Sequence, residues 1–278
     1  MLRLFVTNRA QLLERDGAYV SLAPDFSLDG LFTAVDPVAY ATAAFSAGRP
    51  ESAPVSMESH APLIQSQEVW ASGVTYLRSK SARMAESRDT GGGTFYDRVY
   101  EAERPELFFK ATAHRVAASG MPVRIRSDSR WNVPEPELTL AVSAAGRIFG
   151  YTIGNDMSSR DIEGENPLYL PQAKVYDRCA ALGPCLVITY DLPGPSTAIA
   201  LQIRRAGRAV FQGETTLASL RRPLAGLAAW LFRDNSFPRG CYLMTGTGIV
   251  PPDNFTLQAG DDIRITIEPA GTLVNPVQ

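Results

Sequence analysis

The sequence predicts a mixed α+β protein, rich in strands and rolled or closed rather than doubly wound, led by a small N-terminal α/β domain. Three observations point there. Short β-patterned runs recur along most of the 278 residues. Past residue 105 only one stretch carries a helical stripe. The texture changes at Val69, after a loose segment rich in Pro, Ser and Ala. Many short strands with few helices suit a rolled sheet better than an alternating βαβ array. The expected division is 1–65 for the small leading domain and 66–278 for the larger one.

The elements follow in order. Residues 2–6 read as a strand, and 37–47, Ala-rich and without glycine, as a short helix. Residues 48–62 read as a linker. Residues 69–76 read as a strand, and 79–88 as a charged helix with Ala82, Met84 and Ala85 on its inner spacing. The flexible run Thr90-Gly91-Gly92-Gly93-Thr94 precedes a second helix at 95–103. Such a helix–glycine–helix segment suits a mobile cover over a site, and equally a solvated surface loop. Strands are expected at 107–112, 138–143, 148–153, 185–189, 198–204, 241–245 and 262–268, with Ala144-Ala145-Gly146-Arg147 as a turn. One helix lies within 217–232, with Leu220, Leu224, Leu227, Ala228 and Leu231 on one stripe. Pro223 fits best in a first turn, which moves the expected start past Leu217.

Composition excludes several classes of function. Apolar residues make up 45% and charged residues 20%, as in an ordinary soluble enzyme. Lys and Arg number 27 against 29 acidic residues, so nothing favours nucleic acid or an anionic membrane. There are two histidines, His60 and His114, far apart, and three cysteines, Cys179, Cys185 and Cys241, without a CxxC pair. That argues against a zinc site, an iron–sulfur cluster or a disulfide framework. A bound metal would need oxygen ligands, and so would be a hard cation such as Mg²⁺, Mn²⁺ or Ca²⁺. The start, MLRLFVTNRAQLLERDG, lacks the apolar core of a signal peptide, and no window approaches the roughly 18 apolar residues of a membrane span. A reducing cytoplasm is expected.

One constellation carries chemistry. Glu135 and Glu137 stand two apart in Pro134-Glu135-Pro136-Glu137-Leu138, so an extended chain puts both on one face. Like charges so placed repel unless a cation separates them. Pro136 has no N–H and marks a strand edge or start. If the runs before and after Gly146 pair as a hairpin, Asp156 returns to the level of the glutamates and completes a three-carboxylate oxygen site. The plain alternative is an exposed strand. Lys174, on a β-like run, is either a surface charge or a cation stabilising an enolate or a carboxylate.

Several pieces in order extend the pattern: Gly73-Val74-Thr75-Tyr76, Glu135-Pro136-Glu137-Leu138, Gly150-Tyr151-Thr152, Asn155-Asp156-Met157-Ser158-Ser159-Arg160-Asp161, Ala173-Lys174, Leu182-Gly183-Pro184 and Thr245-Gly246-Thr247. Together they resemble the fumarylacetoacetate hydrolase superfamily from about Val69 onward. The resemblance implies a β-roll catalytic domain, a small 2-oxo acid as substrate, and a homodimer or homotetramer. It implies Mg²⁺ or Mn²⁺ on Glu135, Glu137 and Asp156. It places Lys174 facing the ligand, Arg160 near the substrate, and Thr247, with Gly246 beside it, at the substrate carboxylate. Arg160 has a plain alternative as a structural ion pair.

The chain departs from the hydrolytic members where they carry a His–Glu pair that activates water. Here that region reads Tyr76-Leu77-Arg78-Ser79-Lys80-Ser81-Ala82-Arg83-Met84, without histidine, and Glu163 follows Arg160-Asp161 where relatives have Gln. These features look closest to the branch of 2-keto-3-deoxy-sugar-acid dehydratases, which yield 2,5-dioxopentanoate. The chemistry agrees: elimination of the C4 hydroxyl needs a Lewis acid, a base at C3 and an acid for the leaving group, and no attacking water. Lys174 or Glu163 is expected to transfer the proton, and Arg78 and Ser79 to grip the sugar hydroxyls. For Arg78 and Ser79 the plain alternative is a helix start, with Ser79 as N-cap. The competing functions are an acylpyruvate hydrolase or oxaloacetate decarboxylase, and a 2-oxo-acid binding protein without activity.

Overall fold

A computed structural model describes residues 1–52, 61–79, 81 and 93–278, apart from the side chains of 93–96. His60, most of the expected helix at 79–88 and the run as far as Gly92 lie outside the described residues.

The chain opens with an antiparallel meander, β1 (Leu2–Val6), β2 (Gln11–Arg15) and β3 (Ala18–Ser21), followed by two helices. Ser27 starts α1 (Leu28–Thr33) by accepting the Gly30 N–H at 2.9 Å. Asp36 does the same for α2 (Pro37–Ala47) with the Ala39 N–H, and Pro37 takes the first helical position. The expected linker begins with a strand instead: β4 (Arg49–Glu51) pairs with β3. Three residues of Arg, Pro and Glu carry no β pattern, so only the pairing identifies them.

The larger region continues with β5 (Glu68–Gly73), α3 (Gly93–Glu101), β6 (Glu106–Thr112) and β7 (Val116–Ala117). A long hairpin follows, β8 (Asn132–Val142) and β9 (Ile148–Ser159). Its turn is closed by Gly146, at φ +77°, donating its N–H to Ser143 O at 2.8 Å. Two short helices, α4 (Arg160–Glu165) and α5 (Leu170–Lys174), lead to β10 (Ala180–Ile188). Lys174 therefore ends a helix and does not lie on a strand, because Leu170-Pro171 starts a helical turn. After these come β11 (Ala198–Arg205), β12 (Arg208–Thr216), α6 (Leu224–Leu231), β13 (Cys241–Met244), β14 (Asp262–Ile267) and β15 (Gly271–Pro276). Pro223 sits immediately before α6, as its fixed φ requires.

Two sheets result. The larger runs β4-β3-β2-β1-β10-β9-β8-β13-β5-β6, with β7 beside β10. The smaller runs β12-β11-β14-β15. The N-terminal strands join the large sheet directly, Leu2 facing Ile188 and Leu4 facing Leu186. One core lies between the sheets, where Ile199, Leu201, Ile263 and Ile265 meet Leu138, Leu140 and Ile153. A second joins the large sheet to α1, where the Phe32 ring stands edge-on to Phe149 at 4.8 Å and to Tyr242 at 5.0 Å. Each such fully buried side chain contributes about 1.5–3 kcal/mol. The architecture is the strand-rich α+β fold that the sequence predicts. No helix among the described residues is long and apolar enough to cross a membrane.

Candidate active site and metal centre

The hairpin register brings the acidic residues together. Glu135 pairs with Asp156 and Glu137 with Gly154. Pro136 is tolerated because β13 pairs with β8 only from Thr139 to Val142, so the stretch around Pro136 has one strand neighbour. One carboxylate oxygen from each of Glu135, Glu137 and Asp156 lies within 4.8 Å of the others, and the three residues are at most 5% exposed.

Three buried cations surround this triad. The Lys174 ammonium donates to Glu135 Oε2 at 2.6 Å, Asp156 Oδ2 at 3.2 Å and Ser158 Oγ at 2.5 Å, and lies 3.3 Å from Glu163 Oε1. Arg160 Nη2 donates to Glu135 Oε1 at 2.9 Å. Lys110 forms an ion pair with Asp156 Oδ1 at 2.6 Å. Glu137 differs from its neighbours: its direct hydrogen bond comes from the Gly246 N–H at 2.5 Å. Its carboxyl is pushed well above the usual range, first by burial and then by the charges of Asp156 and Glu135. A carboxylate in that state is relieved by a cation. Three converging carboxylates, with no nitrogen or sulfur ligand among the described residues, make a hard-oxygen donor set, which fits Mg²⁺ or Mn²⁺.

The backbone at the rim is shaped for this site. Gly246 adopts φ +93°, which aims its N–H at Glu137, and a Cβ there would collide with Thr75 Oγ1. Val74 holds φ +53°, unusual for a β-branched residue, where β5 ends at the cleft. Gly73 lines the same cleft, and a Cβ there would collide with the Glu106 carboxylate, which crosses over it. Phe108, two residues further along the same face of β6, lines the cleft under the Lys174 ammonium.

Residues 69–278 match the family model described as the fumarylacetoacetate (FAA) hydrolase C-terminal region. The chain belongs to the fumarylacetoacetate hydrolase family. Among curated relatives, a probable 2-keto-3-deoxyxylonate dehydratase of Haloferax volcanii is 46% identical over 215 residues, 77% of this chain and 73% of that one. The 2-dehydro-3-deoxy-D-arabinonate dehydratase of Saccharolobus solfataricus is 44% identical over 217 residues, with the same coverage. A solved 2-keto-3-deoxy-D-arabinonate dehydratase complexed with magnesium and 2,5-dioxopentanoate superposes with a TM-score of 0.84 at 35% identity, covering 100% of this chain and 99% of that one.

Within this family member, the cleft is lined by Glu135, Glu137, Asp156, Arg160 and Lys174, together with Ser79, Gly246 and Thr247. Ser79 lies in the first helical turn, which begins at Leu77, so it is not the N-cap of that turn. Its hydroxyl donates to Tyr76 O at 2.8 Å and accepts the Tyr76 N–H at 3.3 Å. Thr247 Oγ1 donates to Ile249 O at 3.2 Å. Glu163 is buried behind Lys174 and does not line the cleft. Arg78 is exposed, outside the cleft lining, and donates to Val250 O at 3.4 Å. His114 pairs with Thr112 Oγ1 on a short turn, outside the cleft. Sequence reasoning missed Lys110, Glu106, Phe108 and Ser158. Lys110 left a trace: a lone charge inside the strand-like run Glu106-Leu107-Phe108-Phe109-Lys110-Ala111-Thr112. A lysine at that position is either an exposed edge residue or a buried, paired cation.

Proposed function

We propose that this chain is a Mg²⁺- or Mn²⁺-dependent dehydratase. It eliminates water from a 2-keto-3-deoxypentonate such as 2-keto-3-deoxy-D-arabinonate or -xylonate, and the product is 2,5-dioxopentanoate. The observation that carries the reading is the buried Glu135–Glu137–Asp156 triad with Lys174 on its rim, set in a chain that superposes end to end on a dehydratase complexed with that product. The sequence from Tyr76 to Gly93 contains no histidine, so it lacks the usual partner for activating a hydrolytic water.

Glu135, Glu137 and Asp156 would hold the cation, which supplies a Lewis acid at the 2-oxo oxygen and acidifies the C3 protons. The side chains carry out the rest. Lys174 offsets the negative charge that develops when C3 loses its proton. Its donors are already committed to Glu135, Asp156 and Ser158, and Glu163 backs it from behind. Glu106, outside the triad, packs its carboxylate against Gly73 of the cleft wall and is a further candidate beside Lys174 and Glu163 for accepting the C3 proton. The C3 proton and the C4 hydroxide leave as water. A proton then moves from C5 to C3, giving the C4=C5 enol, and transfer of the enol O–H proton to C4 leaves the C5 aldehyde. Ser79 and Thr247 face the cleft, where substrate oxygens would lie, and Arg160 holds Glu135 in place.

Residues 1–65 form a leading unit that buttresses the catalytic region 66–278 through the β1–β10 pairing. The protein works as a homodimer or homotetramer, which light scattering would measure. The three buried free thiols suit a reducing cytoplasm. The deciding experiment incubates purified protein and Mg²⁺ with both C4 epimers of the 2-keto-3-deoxypentonate and couples the product to a semialdehyde dehydrogenase. Turnover of one epimer supports the reading, and turnover of neither rejects it.

A further inference from the structure

Lys110 is fully buried, yet it does not line the cleft. It falls at a register shift in the β5–β6 pairing, where Val69 faces Ala111 and Trp70 faces Phe109, so Lys110 itself has no partner position. Such bulges re-aim a side chain. Here the ammonium reaches three oxygens from three segments: Asp156 Oδ1 at 2.6 Å, Met157 O at 2.8 Å and Lys174 O at 2.5 Å. The last is the terminal carbonyl of α5, which has no partner within its own helix. Lys174 then turns its own ammonium back onto Asp156 Oδ2. Asp156 is thus gripped on both oxygens, by Lys110 from behind and by Lys174 from the cleft side. Two of the ammonium's N–H groups are spent on the Met157 and Lys174 carbonyls and its charge on Asp156, so Lys110 faces the triad from behind and does not line the cleft.

We propose that Lys110 is a positioning residue: it fixes the rotation of the Asp156 carboxylate and the aim of Lys174 at the reacting atoms, without touching the substrate. The turnover readout rests on the dehydratase reading, whereas the metal readout stands apart from it. Misplacement of a reacting group by about 1 Å costs roughly 100-fold in rate. The test compares Lys110→Met, which keeps the stem and loses the charge, with Lys110→Arg, which keeps the charge but not the three-point fit. For each, Mn²⁺ binding and the Mn²⁺ EPR spectrum are recorded, along with the unfolding temperature and kcat and KM per Mn²⁺ site. Expected for Lys110→Met is a kcat loss of about 30- to 100-fold with KM within about threefold, and an altered Mn²⁺ spectrum. Lys110→Arg should recover no more than about tenfold of that loss. The proposal is overturned if kcat per Mn²⁺ site in Lys110→Met stays within about twofold of the parent. It is equally overturned if neither variant folds, since Lys110 would then serve the fold alone. Should the parent itself turn over neither pentonate epimer, the dehydratase reading has failed. The Mn²⁺ spectrum of Lys110→Met then decides this proposal: a change supports it, and identity with the parent rejects it.

Discussion

Gly246→Ala tests how the rim of the cleft holds Glu137. The glycine sits at φ +93°, where an alanine is strained by about 1–3 kcal/mol. Its methyl would collide with Thr75 Oγ1 and approach Ser72 O at 2.9 Å. Relief requires Thr75 to swing away from Thr245 O, to which its hydroxyl donates at 2.7 Å in the interior. Losing that bond and stranding a buried carbonyl costs about another 1–3 kcal/mol. The sum, roughly 2–6 kcal/mol, corresponds to a fall in Tm of about 5–20 °C for a chain of this size. A second effect is more specific. If the 246 peptide moves, Glu137 loses its one N–H donor and its carboxyl rises further, so metal affinity falls as well. Calorimetry gives the Tm, and Mn²⁺ titration followed by EPR gives the affinity. A variant with the parent's Tm and metal affinity would refute both the strain at Gly246 and its role as donor.

Three further outcomes are expected. The Glu137 carboxyl is raised in the folded chain above its unfolded value, so without a divalent cation its contribution is favourable at low pH and is lost as pH climbs through the raised value. Tm in EDTA should therefore fall with rising pH, Mg²⁺ should restore it most at high pH, and Glu137→Gln should flatten the EDTA curve. Glu106→Gln should cut kcat by about 100-fold or more while leaving Mn²⁺ affinity within about twofold, because Glu106 lies outside the triad. Exchange of solvent deuterium into C3 should be lost with it. Arg222 donates to Val99 O, Ala102 O and Glu103 O at the end of α3, at 2.8–3.0 Å. Arg222→Ala should speed amide exchange in and just after α3 without changing metal affinity, which mass spectrometry would detect.

What could be read from the sequence follows how local each feature is. The Glu135–Glu137–Asp156 triad needs only an i, i+2 spacing and a tight turn, and the hairpin supplies both. The strands β12 and β15 escaped notice for a physical reason. The first is largely exposed on its edge of the small sheet, and the second lies between Gly271 and Pro276, so neither shows a clean alternation. Lys174 reads as part of a β-like run because its apolar neighbours outweigh the Leu170-Pro171 helix start. Lys110 reaches Asp156 from a register shift in the pairing of β6 with β5, which no local pattern signals.

The charge balance ties these residues together. Four buried carboxylates, Glu135, Glu137, Asp156 and Glu163, face three buried cations, Lys110, Arg160 and Lys174. A close-packed interior rarely keeps an unmatched charge, since desolvation costs several kcal/mol per ion. The carboxyl with the weakest direct compensation is Glu137, which has a backbone N–H where Glu135 and Asp156 have lysine. It is also the one whose carboxyl is pushed up. The excess of one carboxylate is therefore located at a named atom group beside the cleft, where an arriving cation would relieve it.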